Sequence, residues 1–241
     1  MVVCQGNLLS SKNSRSMIKT RSFLLFKLLD KLPLVKDLEF GQNYSSFNSQ
    51  KFIGKTNNIK LLNDQGIKRI NYACGGKYLQ DWLNVDFHRK NSFILPDNTI
   101  YYAVDLTSKH PFPDNHFEFG FAEDFIEHLQ QVDSIIFLSE CFRTFKTGGV
   151  LRLAFPGLEG VLQKHYPTCD YETVVVAKEE AYTAWGHLHF YSREELTTVA
   201  KHIGFSEVNF REYGVSNYPV LAGLETREEQ VGLNTYVELV K

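Results

Sequence analysis

An α/β domain on a seven-stranded, mostly parallel sheet with helices on both faces is the fold class this sequence predicts. Short β-branched and aromatic runs alternate with helical patterns from about residue 67 onward, and glycines punctuate the boundaries between them. At 241 residues, with 43% hydrophobic and 22% charged side chains, the chain is long enough for one such domain plus an appendage.

The element pattern predicts strands near 68–73, 82–86, 100–104, 117–122, 149–155, 206–212 and 234–240. Asp133 suits the N-cap of a helix carrying Ile135, Ile136, Leu138, Phe142 and Phe145, ended by Gly148 and Gly149. Ser192 and Glu195 form a capping box, and Leu196, Val199, Ala200 and Ile203 follow a helical stripe that Gly204 stops. Only about nine residues separate the first two strands, fewer than a parallel crossover with a helix normally needs. The first helix should therefore shrink to a turn. Residues 56–66 or an amino-terminal helix would supply the missing layer.

Charge is distributed unevenly. Residues 1–60 hold ten basic and three acidic side chains, whereas residues 61–241 hold sixteen and twenty-five. An acidic body argues against a nucleic-acid partner, whose phosphates require a basic face. Cysteines at 4, 74, 141 and 169 show no metal-ligand spacing, which suits reduced thiols in a cytoplasmic compartment. No apolar run reaches the length of a membrane span.

Residues 1–58 read as a basic extension with one amphipathic helix around Phe23–Leu29, followed by a polar linker from about residue 40. The readings open for this arm are a transit peptide, a peripheral membrane contact, or a helix packed on the domain or on a second subunit. Residues 59–241 form the main domain.

Chemistry concentrates after residue 67. Arg69-Ile-Asn-Tyr-Ala-Cys-Gly-Gly76 reads as a buried strand entering a glycine turn, with Asp86 at the end of the next strand. Glycines there let backbone approach a ligand, and the Asp86 carboxylate can accept two hydrogen bonds from a ribose diol. A dinucleotide-binding site would need G-x-G-x-x-G and an acid about 20 residues on. This chain has Ala73-x-Gly75-x-x-Tyr78, and Asp86 follows Gly75 by eleven residues.

Further motifs follow in order: Tyr101-Tyr-Ala-Val-Asp-Leu106, Pro111-Phe-Pro-Asp-Asn-His-Phe-Glu-Phe-Gly-Phe-Ala-Glu-Asp-Phe-Ile-Glu-His-Leu129, and Phe145-Lys-Thr-Gly-Gly-Val-Leu-Arg-Leu-Ala-Phe-Pro156. The series resembles the class I S-adenosylmethionine-dependent methyltransferases, and within them the small branch linked to cell-surface polysaccharide biosynthesis. The resemblance covers roughly residues 67–241. It implies a Rossmann-like sheet whose last strand is antiparallel, and S-adenosyl-L-methionine as cofactor.

Carried over residue by residue, the resemblance places Asn71, Ala73, Gly75 and Gly76 beneath the methionine part of the cofactor and Asp86 on its ribose. Asp105 and Leu106 take the adenine, while Ala122 and Glu123 lie beside the sulfonium. Ala73 stands where the family has glycine, a harmless change at negative φ and a costly one at positive φ. Glu127-His128 is expected to brace the loop after the fourth strand. No metal site is expected, since His187 and His189 offer only two ligands.

Residues 157–190 are where this fold builds an acceptor lid. They hold His165, Tyr166, Tyr171, Tyr182, Trp185, His187, His189 and Phe190. Aromatic walls suit the flat apolar face of a sugar ring or an aromatic acceptor, and Glu123 or His187 is the candidate general base. The expectation is methyl transfer to a small-molecule or saccharide acceptor. The alternative is a catalytically silent scaffold on the same fold.

Overall fold

The computed structural model describes residues 66–87 and 99–241. The expectations for the arm, the linker and the boundary at 58/59 lie outside the described residues. Seven strands form one sheet: β1 (Arg69–Tyr72), β2 (Leu83–Asp86), β3 (Ile100–Ala103), β4 (Phe117–Glu123), β5 (Phe145–Pro156), β6 (Glu207–Arg211) and β7 (Asn234–Val240). Their order is β3-β2-β1-β4-β5-β7-β6. Strands β1 to β5 are parallel, and β7 runs antiparallel to both β5 and β6. This is a Rossmann-like fold. The order reverses between β1 and β4, the switch point at which such sheets open a crevice beyond their carboxyl ends.

Helices α1 (Gln131–Thr144) and α4 (Arg193–Ile203) cover one face. Phe137, Leu138 and Cys141 of α1, with Leu196 and Ala200 of α4, join Ile70, Tyr72, Val85, Leu151 and Val237 in the main core. Ser192 caps α4 as expected, its Oγ accepting from the Glu195 N–H at 3.0 Å, and Gly204 ends that helix at φ +122°. The expectations for α1 are corrected in three places. Gln130 is the N-cap and Asp133 sits in the first turn. The inward residue is Phe137, while Ile136 is exposed. The helix stops at Thr144, because Phe145 turns extended and pairs with Phe117 before Gly148 and Gly149 are reached.

Between β1 and β2 the crossover carries no helix. Side-chain amides hold it instead. Asn71 donates to Asn84 Oδ1 and to Lys77 O, both at 2.9 Å. Asn84 in turn accepts from Leu79 N–H at 2.8 Å and donates to Leu79 O at 3.0 Å.

The opposite face of the sheet, where the described residues place no helix, is covered by Leu79 and Trp82 of the crossover and by Tyr218, Leu221 and Leu224 of the segment before β7. A buried ion cluster anchors that segment. Arg152 of β5, fully buried, pairs with buried Glu225 and with Glu238 of β7, and its guanidinium donates to the carbonyls of Val215 and Glu212.

Helices α2 (Leu158–His165) and α3 (Tyr171–Ala177), with a π turn over Lys178–Thr183, build the region after β5. It has its own small core of Val161, Ala181 and Phe190, flanked by Tyr166, Tyr182 and Leu233.

Candidate active site

Four strand ends meet at one edge. Parallel register sets Tyr72 beside Val85 and Ala122, and Asp86 beside Ala103, so residues 73–76, Asp86, Asp105 and Glu123 all follow from the same carboxyl edge. The turn after β1 is left-handed at Ala73 (φ +47°) and again at Gly75 (φ +52°). Ala73 thus adopts the conformation in which its methyl group is unfavourable. At Gly75 the space a Cβ would occupy is open, with no atom within 4 Å.

Asp86 and this turn are bonded to each other. Oδ2 of Asp86 accepts the Gly75 N–H at 2.8 Å, and Oδ1 accepts the Phe87 N–H at 2.6 Å. Each oxygen keeps a second lone pair, the acceptor capacity that the two donating hydroxyls of a nucleoside diol require. An oriented carboxylate beside a glycine with open space in front of it fits a nucleoside cofactor.

The other expected residues are distributed as follows. Asn71 is buried and its amide holds the crossover, as described above. Gly76 is exposed in the turn. Asp105 is exposed and forms an Asx turn, Oδ1 accepting from Thr107 N–H at 3.0 Å and Thr107 Oγ1 at 2.7 Å. Leu106 and Ala122 have their side chains in the main core.

Glu123, although at the edge, is engaged on both oxygens. It pairs with the Lys77 ammonium at 3.1 Å and accepts from Thr226 N–H at 2.9 Å and Thr226 Oγ1 at 2.8 Å. Lys77 also donates to Thr226 Oγ1. This clasp joins the turn after β1, the end of β4 and the segment before β7. Nothing in local sequence linked residue 226 to the site, because its neighbours in space, Glu123 and Lys77, are 103 and 149 residues away in the chain.

Asp124 follows at φ +51°, its carboxylate held by Arg227 at 2.7 Å and Asn234 at 3.2 Å. Burial raises its pKa. Glu127, in the 3-10 turn Ile126–His128, is fully buried, and neither carboxylate oxygen has a hydrogen-bond partner. Burial, reinforced by the charge of Asp124, pushes its pKa well up.

The backbone of Glu127 reaches the segment expected to form the acceptor lid. Its carbonyl accepts from Leu188 N–H at 2.7 Å and His189 N–H at 3.2 Å. The brace expected of the Glu127-His128 pair is thus made by main chain, and it leaves the Glu127 side chain unexplained.

His187 and His189 diverge. His189 Nε2 lies 3.0 Å from Glu195 Oε1, and its ring packs on Tyr191. His187 Nδ1 lies 2.6 Å from the carbonyl of Ala181, which makes Nδ1 the protonated nitrogen and leaves Nε2 a lone pair. Burial lowers the His187 pKa and favours that neutral ring. Its edge meets Phe190 and the ring of His128, 4.8 Å away. Of the expected aromatic wall, Tyr166, Tyr182 and Phe190 pack in the local core, whereas Tyr171 and Trp185 are exposed.

Residues 70–153 match a family model described as a methyltransferase domain. That match runs from within β1 to within β5 and includes residues 73–76, Asp86, Asp105 and Glu123, and it indicates S-adenosylmethionine as the cofactor. Solved structures at 14–15% identity align with the chain. A Mesorhizobium loti S-adenosylmethionine-dependent methyltransferase aligns with TM-score 0.50 at 15% identity, covering 73% of this chain and 91% of that one. An Archaeoglobus fulgidus methyltransferase aligns with TM-score 0.49 at 14% identity, covering 82% and 100%. A Haemonchus contortus phosphoethanolamine N-methyltransferase aligns with TM-score 0.48 at 15% identity, covering 72% and 48%. No curated protein sequence matches the chain. Among the described residues no helix is long and apolar enough to cross a membrane.

Proposed function

We propose that this chain transfers the methyl group of S-adenosylmethionine to a small-molecule acceptor, of the saccharide type that its motif series suggests. The carrying observation is the hydrogen bond from Gly75 N–H to Asp86 Oδ2, which sets a carboxylate and an open glycine turn at the sheet's switch point, within the methyltransferase-domain match. The sulfonium supplies the activated methyl group, so the protein's task is to hold two reactants in line. In this reading Asp86 takes the ribose, the backbone of 73–76 lies under the methionine portion, and Asp105 lies at the adenine.

Residues 157–190 receive the acceptor. Of the two residues expected as a base, Glu123 is committed to Lys77 and Thr226, while His187 presents an available Nε2 lone pair. His187 is therefore the residue assigned to the acceptor's reacting group.

A silent scaffold is the second reading. It is favoured by the left-handed Ala73 and by the Lys77–Glu123–Thr226 clasp across the same edge. Calorimetry of the full chain with S-adenosylmethionine, followed by a screen of sugars, nucleotide sugars and small hydroxylated compounds for S-adenosylhomocysteine release, decides between them. Binding with release supports the enzyme. Absence of binding overturns it in favour of the scaffold.

A further inference from the structure

Three potential ligands converge beside the proposed acceptor region, and only His187 among them has been given a role. Glu127, His128 and His187 each offer one donor atom, and the three atoms lie within 4.8 Å of one another. They come from two separate segments that the Glu127 carbonyl pins together through Leu188 and His189.

The Glu127 side chain is the decisive member. A fully buried carboxylate ordinarily receives several hydrogen bonds or a paired cation. Here both oxygens lack hydrogen-bond donors, and the nearest basic atom, His128 Nε2, stands 3.8 Å away. Asp124, the neighbouring acid, already has Arg227 and Asn234. A carboxylate oxygen of Glu127 thus lies within 4.8 Å of a ring nitrogen of each imidazole.

Those imidazoles are arranged as ligands. The bond from His187 Nδ1 to the Ala181 carbonyl fixes the tautomer and leaves the lone pair on Nε2, the support that metal-bound histidines characteristically receive. The half-exposed His128 ring meets His187 edge-on at 4.8 Å and gives the cluster access to solvent.

We propose that Glu127, His128 and His187 form a binding site for a borderline divalent transition-metal cation such as Zn²⁺. Two imidazoles and a carboxylate are a donor set such ions favour over Mg²⁺ or Ca²⁺, which take oxygen ligands. Bonds of about 2.0–2.2 Å would draw the three donors inward and leave a further position for water or an acceptor oxygen. His187 then acts on the acceptor through the cation and not as a free base. The proposal refines the role given to His187 above, but cation binding does not require methyl transfer.

The test is titration of the metal-free full chain with Co²⁺, followed by visible absorption, and equilibrium dialysis with Zn²⁺ followed by elemental analysis. The expected result is one ion per chain, a rise in unfolding midpoint with added ion, and at least tenfold weaker binding in His128→Ala and His187→Ala. His189→Ala, whose ring is paired with Glu195, should bind as the parent does. Glu127→Gln should also lose the ion; if it does not fold, the half-exposed His128→Ala carries the test. No saturable binding of one ion, or binding indifferent to both His128 and His187, overturns the proposal. S-adenosylmethionine affinity measured on the same metal-free sample separates failure of this site from failure of the cofactor reading.

Discussion

Gly75 and Asp86 are joined by a backbone-to-carboxylate hydrogen bond of 2.8 Å, so the turn after β1 and the acid ending β2 are one structural unit. Asp86→Ala removes the proposed ribose acceptor and loosens the turn together. S-adenosylmethionine binding should weaken at least tenfold, corresponding to about 1.5–3 kcal/mol for hydrogen bonds to a charged group. Calorimetry with the variant checks it; parental affinity would falsify the assignment.

Ala73→Gly should stabilise the protein. At φ +47° the alanine methyl is strained by about 1–2 kcal/mol, while glycine gives back part of that gain through greater unfolded-chain entropy. The expected net is about 0.5–1 kcal/mol by chemical denaturation, with cofactor affinity equal or higher. A loss of stability would show that the methyl group makes a packing contact outweighing the strain.

Arg152→Ala should be among the most damaging substitutions away from the crevice. It leaves Glu225 without its buried partner and releases the segment whose Tyr218 and Leu221 cover the sheet. Removing one member of a buried pair destabilises by about 3–5 kcal/mol. Denaturant unfolding should show this loss, and Arg152→Met combined with Glu225→Gln should lose less than the sum of the single changes.

His110 sets an acid limit. It is buried against Tyr72 and Phe112, its Nε2 lies 3.3 Å from the Leu106 carbonyl, and burial lowers its pKa to about 4. A histidine whose folded pKa is depressed contributes stability that is present above the unfolded value, about 6.5, and is lost as pH falls through the folded one. The parent should lose on the order of 3 kcal/mol from this group between pH 6.5 and 4. His110→Gln should show a flatter stability profile across that window, and an unchanged slope would assign the acid sensitivity elsewhere.

Much of the sheet was legible because strands are local. The run from Arg69 to Tyr72 and the run from Leu83 to Asp86 declare themselves by β-branched and aromatic content, and Ser192 with Gly204 marks both ends of α4. Where α1 ends was not legible. Gly148 and Gly149 looked like its stop, but pairing of Phe145 with Phe117 draws the chain out at Thr144, a contact between residues 28 apart.

Sequence alone determined the order of the elements, the glycine turn with Asp86 beyond it, and the shortened first crossover, since each depends on neighbouring residues and their spacing. Tertiary structure decided what those residues do. Only folding brings Thr226 and Lys77 onto Glu123, buries Arg152 against Glu225, and gathers the buried carboxylate of Glu127 with His128 and His187. The physical reason is that charge and hydrogen-bonding partners are chosen by distance in space. Chain closure over roughly 50 to 150 residues leaves no local signature from which such a choice could be read.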